Sequence, residues 1–205
     1  MHLFDQRTLG VILLVLLALV VAVKKTATSS LLADRPERGI GLWAVHVFNM
    51  FFLLVVSPAA AVLLTLRRLD AVDPTRLDLG ASWPVMAVEA AGLALCVTGH
   101  LLMAWALATM RRVYQVGGST PRPGDHLVTA GPYRALRHPM YAAALSIALG
   151  LAALTQSLAL AAVFCTYVVV LVALIPAEEA GLRRAYGEGY AAYQQSAWRV
   201  VPFVY

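Results

Sequence analysis

From Met140 to Ala177 the chain carries no charged residue. A single helix over that stretch would run about 57 Å at 1.5 Å per residue, well beyond an apolar bilayer core of about 30 Å. The stretch therefore has to cross and return. The polar triplet Thr155, Gln156 and Ser157 stands where a hairpin needs its turn, so the sequence predicts spans over 139–154 and 158–176. A hairpin brings its two ends to one face of the membrane. The polar segment before Met140 and the polar segment after Pro176 become neighbours despite the long apolar run between them.

Three further apolar runs, 9–23, 40–66 and 83–110, are long enough to cross or nearly so. With 60% hydrophobic residues, 13% charged and a mean hydropathy of +0.74, the chain reads as an all-α integral membrane protein. We expect about five transmembrane helices, the last two a tight hairpin, in one domain over 1–205 with a cytosolic helical tail. The first run is followed, not preceded, by Lys24 and Lys25. That order predicts a retained helix and not a cleaved signal peptide.

A formal charge of +5 could suggest nucleic acid, but the basic residues lie in short loops and form no aromatic-interleaved stripe. Membrane topology accounts for them. In a five-span arrangement one face collects Lys24, Lys25, Arg35, Arg38, Arg111, Arg112, Arg122, Arg134, Arg137, Arg183, Arg184 and Arg199. The other face holds Arg7, Arg67, Arg68 and Arg76. The positive-inside rule then predicts an external N-terminus, with the C-terminus and both polar segments cytoplasmic, in a plasma membrane of bacterial or archaeal type. Cys96 and Cys165 both fall inside apolar runs, so neither a disulfide framework nor a thiolate metal site is expected.

The chemistry concentrates in the two polar segments. The first is GPYRALRHPMY, Gly131 to Tyr141, where Pro139 can open a helix with His138 at its cap. The positive pole of that helix, beside Arg134 and Arg137, is suited to an anion. The second begins with Glu178 and Glu179 and continues through LRRAYGEGYAAY, where Gly187 and Gly189 interrupt any long helix. A cationic and an anionic cluster together complement a zwitterion such as S-adenosylmethionine. A plain salt-bridge network, Arg137 to Glu179 for example, accounts for the same residues equally well.

The strings HLVTAGPYRALRHPMY (His126 to Tyr141) and EEAGLRRAYGEGYAAY (Glu178 to Tyr193), with the closing WRVVPFVY, resemble the integral-membrane isoprenylcysteine carboxyl methyltransferase and phospholipid methyltransferase superfamily. The resemblance covers roughly the last eighty residues, in the family's motif order. It implies an S-adenosylmethionine pocket built from residues 126–141 and 176–205, and a lipophilic or lipidated acceptor arriving from the membrane lipid. Carried over by position, it implies cofactor contacts at His126, Leu127, Tyr133, Arg134, His138, Tyr141, Glu178 and Glu179. Arg137 is assigned to catalysis.

The implied reaction is a methyl transfer in which positioning and exclusion of water supply most of the acceleration. A carboxylate acceptor needs no base, and isoprenylcysteine-like carboxyl methylation is the first expectation. A thiol, a phospholipid amine or another hydrophobic nucleophile is the alternative, and a nucleophile that must lose a proton needs a base. Glu89 and His100, inside the span 83–110, are the catalytic candidates for that task. His46 and Asn49 are expected to make interhelical hydrogen bonds. Two other readings are kept: an NADPH-dependent membrane reductase, similar in its C-terminal hairpin and its VPFVY ending, and a non-enzymatic membrane partner protein.

Overall fold

The computed structural model describes residues 4–28, 47–80, 82–114, 121 and 124–203, and these are helical with no strand. His46, Arg35, Arg38 and Arg122 lie outside the described residues. The helices are α1 (Gln6–Thr28), α2 (Val47–Thr65), α3 (Trp83–Met110), α4 (Pro139–Thr155), α5 (Leu158–Tyr186) and α6 (Glu188–Ser196). α1, α2, α3 with the 3-10 turn that follows it, and α5 are long and apolar enough to cross a membrane, while α4, with 17 residues, is shorter.

α4 is the helix the others enclose. Its residues Ala143, Ala144, Ile147, Ala148, Gly150, Leu151, Ala152 and Leu154 are buried, and its broadest interface is with α3. Close approach sets that interface. A Cβ on Gly150 would lie 2.7 Å from the Cys96 sulfur and from the Gly92 carbonyl oxygen, and one on Gly92 would lie 2.7 Å from the Leu154 amide nitrogen. Lipid tails are as apolar as leucine, so dispersion across a close contact between small residues, and not hydrophobic exclusion, holds such helices together.

The hairpin turn is tight because Gln156 adopts a left-handed conformation at φ 53° and Ser157 caps α5, its hydroxyl accepting from the Leu160 amide at 3.1 Å. The loop after α2 closes over this turn. Arg76 Nε donates to the Thr155 carbonyl at 2.7 Å, Leu77 N to the Gln156 carbonyl at 3.0 Å, and Ser157 Oγ to Asp73. Backbone groups that a turn leaves unpaired are thus satisfied inside the protein.

Two prolines behave differently from a simple reading. Pro58 lacks the amide that would bond Leu54, and the preceding residues Phe52–Val56 widen into a π turn, with the Ser57 amide reaching back to the Phe52 carbonyl. Pro176 does not end α5. The helix continues ten residues beyond the expected boundary to Tyr186 and stops at Gly187, φ 55°; Gly189 lies within the first turn of α6. α5 spans about 43 Å at the helical rise, so its last turns carry Glu178 and Glu179 beyond a bilayer core.

Candidate active site

The 3-10 turn Gly131–Arg134, the residues up to His138, the end of α5 and α6 converge at the open end of the hairpin. A parallel bridge joins Leu136 to Trp198: Arg137 N donates to the Trp198 carbonyl at 2.6 Å, His138 N to that of Arg199 at 2.9 Å, and Trp198 N to that of Ala135 at 2.9 Å. Tyr193 fixes the same corner from below, its buried hydroxyl donating to the Tyr133 carbonyl at 2.6 Å.

The two glutamates separate here. Glu179, with its side chain 4% exposed, accepts from Arg137 Nε at 2.7 Å, Arg199 Nε at 3.0 Å and Gln194 Nε2 at 3.2 Å. Arg137 also donates to the Gln194 carbonyl at 2.9 Å and to that of Ala197. This pair ties the tail to the segment before α4. Glu178 turns the other way and accepts from the Tyr141 hydroxyl at 2.8 Å, with His138 Nδ1 at 4.0 Å. The His138 ring stacks on Tyr141 at 5.5 Å, and its Nε2 lies 3.4 Å from Glu179 but is not aligned for a hydrogen bond.

Glu178 faces a cavity of about 170 Å³. Its polar half is formed by Asp125, His126, Arg137, His138 and Glu178; its apolar half by Met50 and Leu53 of α2, Met103 of α3, Ala144 of α4, and Leu171 and Leu174 of α5. Six tyrosines, 114, 133, 141, 186, 190 and 193, complete the wall. Burial pushes the phenols of Tyr133, Tyr190 and Tyr193 well above their ordinary range, so they remain neutral donors at physiological pH. The Tyr190 hydroxyl and His138 Nε2 are buried without a hydrogen-bond partner among the described residues.

A profile of the phospholipid methyltransferase family matches residues 88–189, the stretch that contains most of α3, the hairpin and both glutamates. The fold is similar to that of the eukaryotic intramembrane Ras methyltransferase ICMT, isoprenylcysteine carboxyl methyltransferase, with a TM-score of 0.55, 20% identity, and coverage of 80% of this chain and 74% of that one. The chain belongs to the isoprenylcysteine carboxyl methyltransferase and phospholipid methyltransferase superfamily. Its apolar helices and this fold make it an integral membrane protein. It is also 38% identical over 89 residues to the cobalt-zinc-cadmium resistance protein CzcN of Cupriavidus metallidurans; the match covers 43% of this chain and 41% of that curated relative.

Within this superfamily member, the residues expected at the cofactor sort into two groups. His126, Leu127, Tyr133, His138, Tyr141 and Glu178 line the cavity, as does Arg137. Arg134 is exposed and does not line it, and Glu179 is turned away into the Arg137 and Arg199 pairs. The two-arginine pair expected before α4 is therefore divided: Arg134 is exposed away from the cavity, while Arg137 lines it with Nε on Glu179 and Nη1 on carbonyls of the tail.

The expected intramembrane bases are also placed elsewhere. Glu89 is buried at the opposite end of the hairpin, where Gln156 Nε2 donates to it at 3.3 Å. His100 is buried in α3 with Nδ1 2.7 Å from the Cys96 carbonyl oxygen and does not line the cavity. Sequence reading missed Tyr114, Met103 and Asp125 as wall residues. Tyr190 it quoted inside a motif without a role. The first three carry no motif signal: the packing of α3 on α4 and the 3-10 turn Arg111–Val113 place Met103 and Tyr114, and the segment before Gly131 brings in Asp125.

Proposed function

We propose that this protein is an S-adenosylmethionine-dependent methyltransferase acting on a lipophilic acceptor, with a carboxylate as the group methylated. The observation that carries the reading is the divided cavity. A cationic, amphiphilic cofactor needs a carboxylate and aromatic faces, which Glu178 and the tyrosines supply, and a hydrogen-bonding group to spare, which the Tyr190 hydroxyl provides. These residues fit the cofactor. When bound, it supplies an electrophilic methyl group on a sulfonium.

The protein's own part is to hold and to exclude. His138, Tyr141 and Glu178 form a connected polar wall whose geometry is set by α4 and α5, so the cavity's charge is placed before any ligand arrives. The apolar residues of α2, α3 and α5 keep water from the transfer path and receive an acceptor's hydrocarbon. Among the described residues, α2 and α3 contribute no titratable group to the wall. The titratable side chains of the wall, Asp125, His126, His138 and Glu178 among them, lie at the cofactor's end. A carboxylate, which needs no base beside it, suits an apolar acceptor site better than an amine or thiol that must first be deprotonated. The proposed orientation places the cavity mouth in the cytoplasm, since Lys24, Arg111, Arg112, Arg183 and Arg184 share that end.

The test is calorimetric titration of the purified protein with S-adenosylhomocysteine, beside a Glu178→Gln variant and an NADPH control. Saturable binding that the variant weakens and NADPH does not reproduce is the expected result. A folded sample that binds no S-adenosylhomocysteine overturns the reading, and NADPH binding in its place would make the protein a reductase.

A further inference from the structure

Asn49 is the polar, uncharged side chain that α2 contributes to the apolar half of the cavity. An amide in a membrane helix ordinarily finds a partner on a neighbouring helix, because leaving it unpaired in an apolar setting costs free energy. Asn49 has no hydrogen bond among the described residues, although it is partly buried. The rotation of α2 explains why. Phe48 and Phe52, one turn apart, both pack on Tyr167 of α5, with ring centroids at 5.3 and 6.0 Å, and this turns Asn49 and Leu53, also one turn apart, to the cavity. The π turn begins at Phe52, so the helix geometry changes within this face, between Asn49 and Leu53.

Resting on the function proposed above, we infer that Asn49 is the acceptor-reading residue: its amide N–H donates to a carboxylate oxygen of the acceptor, while Leu53, Met103, Leu171 and Leu174 hold the apolar chain. Other donors are less suited to that oxygen. Arg137 is anchored at the tail, its Nε on Glu179 and its Nη1 on two carbonyls, and His126 lies on the exposed polar side. Asn49 also fixes the depth of the head group, since α2 places it in the membrane span and not in a loop. The donor is neutral, so it leaves the acceptor's negative charge to be attracted by the cofactor's positive one. Asn49 is therefore a specificity residue, and the reacting charges are set by the ligands themselves.

The experiment uses the full chain in lipid nanodiscs and measures binding of two probes with one tail: N-acetyl-S-farnesylcysteine, which has the carboxylate, and N-acetyl-S-farnesylcysteamine, which lacks it. Asn49→Leu should weaken the first probe by about ten-fold or more and leave the second within about two-fold, as loss of one hydrogen bond to a charged group predicts. Asn49→Gln should recover part of the loss, and S-adenosylhomocysteine binding should be unchanged in both variants. Equal losses for the two probes would reduce Asn49 to part of the apolar wall and overturn the inference. So would no loss at all, or a wild type that binds S-adenosylhomocysteine but not the carboxylate probe. A wild type that binds no S-adenosylhomocysteine instead refutes the cofactor reading, and the two-probe comparison still reports on Asn49.

Discussion

The two ends of the α4–α5 hairpin hold similar side chains to different purposes. At the turn, Thr155, Gln156 and Ser157 meet Asp73, Thr75, Arg76 and Glu89, and donors and acceptors there are matched to one another. At the open end, Glu179 and Arg137 are matched in the same way, but Glu178 faces a cavity and the Tyr190 hydroxyl in its wall has no partner among the described residues. Adjacent glutamates thus take opposite parts. On an α-helix consecutive residues point about 100° apart, so when Glu179 is directed at the tail Glu178 must look elsewhere. The comparison teaches that unsatisfied polar groups, more than charge itself, separate a binding surface from a structural one.

Four changes would break or sharpen that contrast. Glu179→Ala should be the most damaging, since it leaves the Arg137 side chain, 9% exposed, buried beside two carbonyls without its counter-charge. A loss of about 3–5 kcal/mol is expected for such a pair, read as a lower thermal midpoint in detergent, with cofactor binding lost as the tail detaches. Glu178→Gln should do the reverse. S-adenosylhomocysteine affinity should fall about ten-fold while the midpoint moves by an amount worth no more than about 1 kcal/mol. Were the two glutamate variants to show equal melting losses, the division between them would be wrong.

At the other end, Ser157→Ala removes both the cap of α5 and a hydrogen bond to Asp73. It should cost about 1 kcal/mol of stability and leave S-adenosylhomocysteine binding intact, measured on the same sample by melting and titration. The smallest effect concerns pH. Burial alone would raise the Asp73 carboxyl, but hydrogen bonds from Ser157 and Thr75 and the nearby Arg76 outweigh it and hold the group below its ordinary value. A depressed carboxylate stabilises the fold above its unfolded value and loses that contribution as pH falls through the folded one. Wild-type stability should therefore fall more than that of Asp73→Asn when acidified below the ordinary aspartate range. Identical acid profiles for the two proteins would remove Asp73 from the turn network.

Much of the fold was legible because bilayer thickness is a ruler that a sequence cannot evade. The uncharged run from Met140 to Ala177 exceeds one crossing, and the only polar triplet within it is where α4 ends and α5 begins. The helix ends were less legible. Pro176 reads as a stop, yet α5 runs on to Tyr186, since one missing amide in a long packed helix does not outweigh the remaining backbone bonds.

The candidate site divides in the same way. Its neighbourhood followed from the sequence: once the hairpin is required, the segments 126–141 and 176–205 have to meet, and their motifs carry the family resemblance. What each side chain does there was decided only by tertiary structure. No sequence rule assigns Glu179 to Arg137 and Glu178 to the cavity, sends Glu89 to Gln156 at the far end, or turns Asn49 inward without a partner. Those outcomes depend on helix rotation, which the packing of α3 on α4 and of Phe48 and Phe52 on Tyr167 fixes. Hydropathy and length specify how many times a chain crosses a membrane; the angle at which each helix faces its neighbours is set by contacts between residues far apart in sequence.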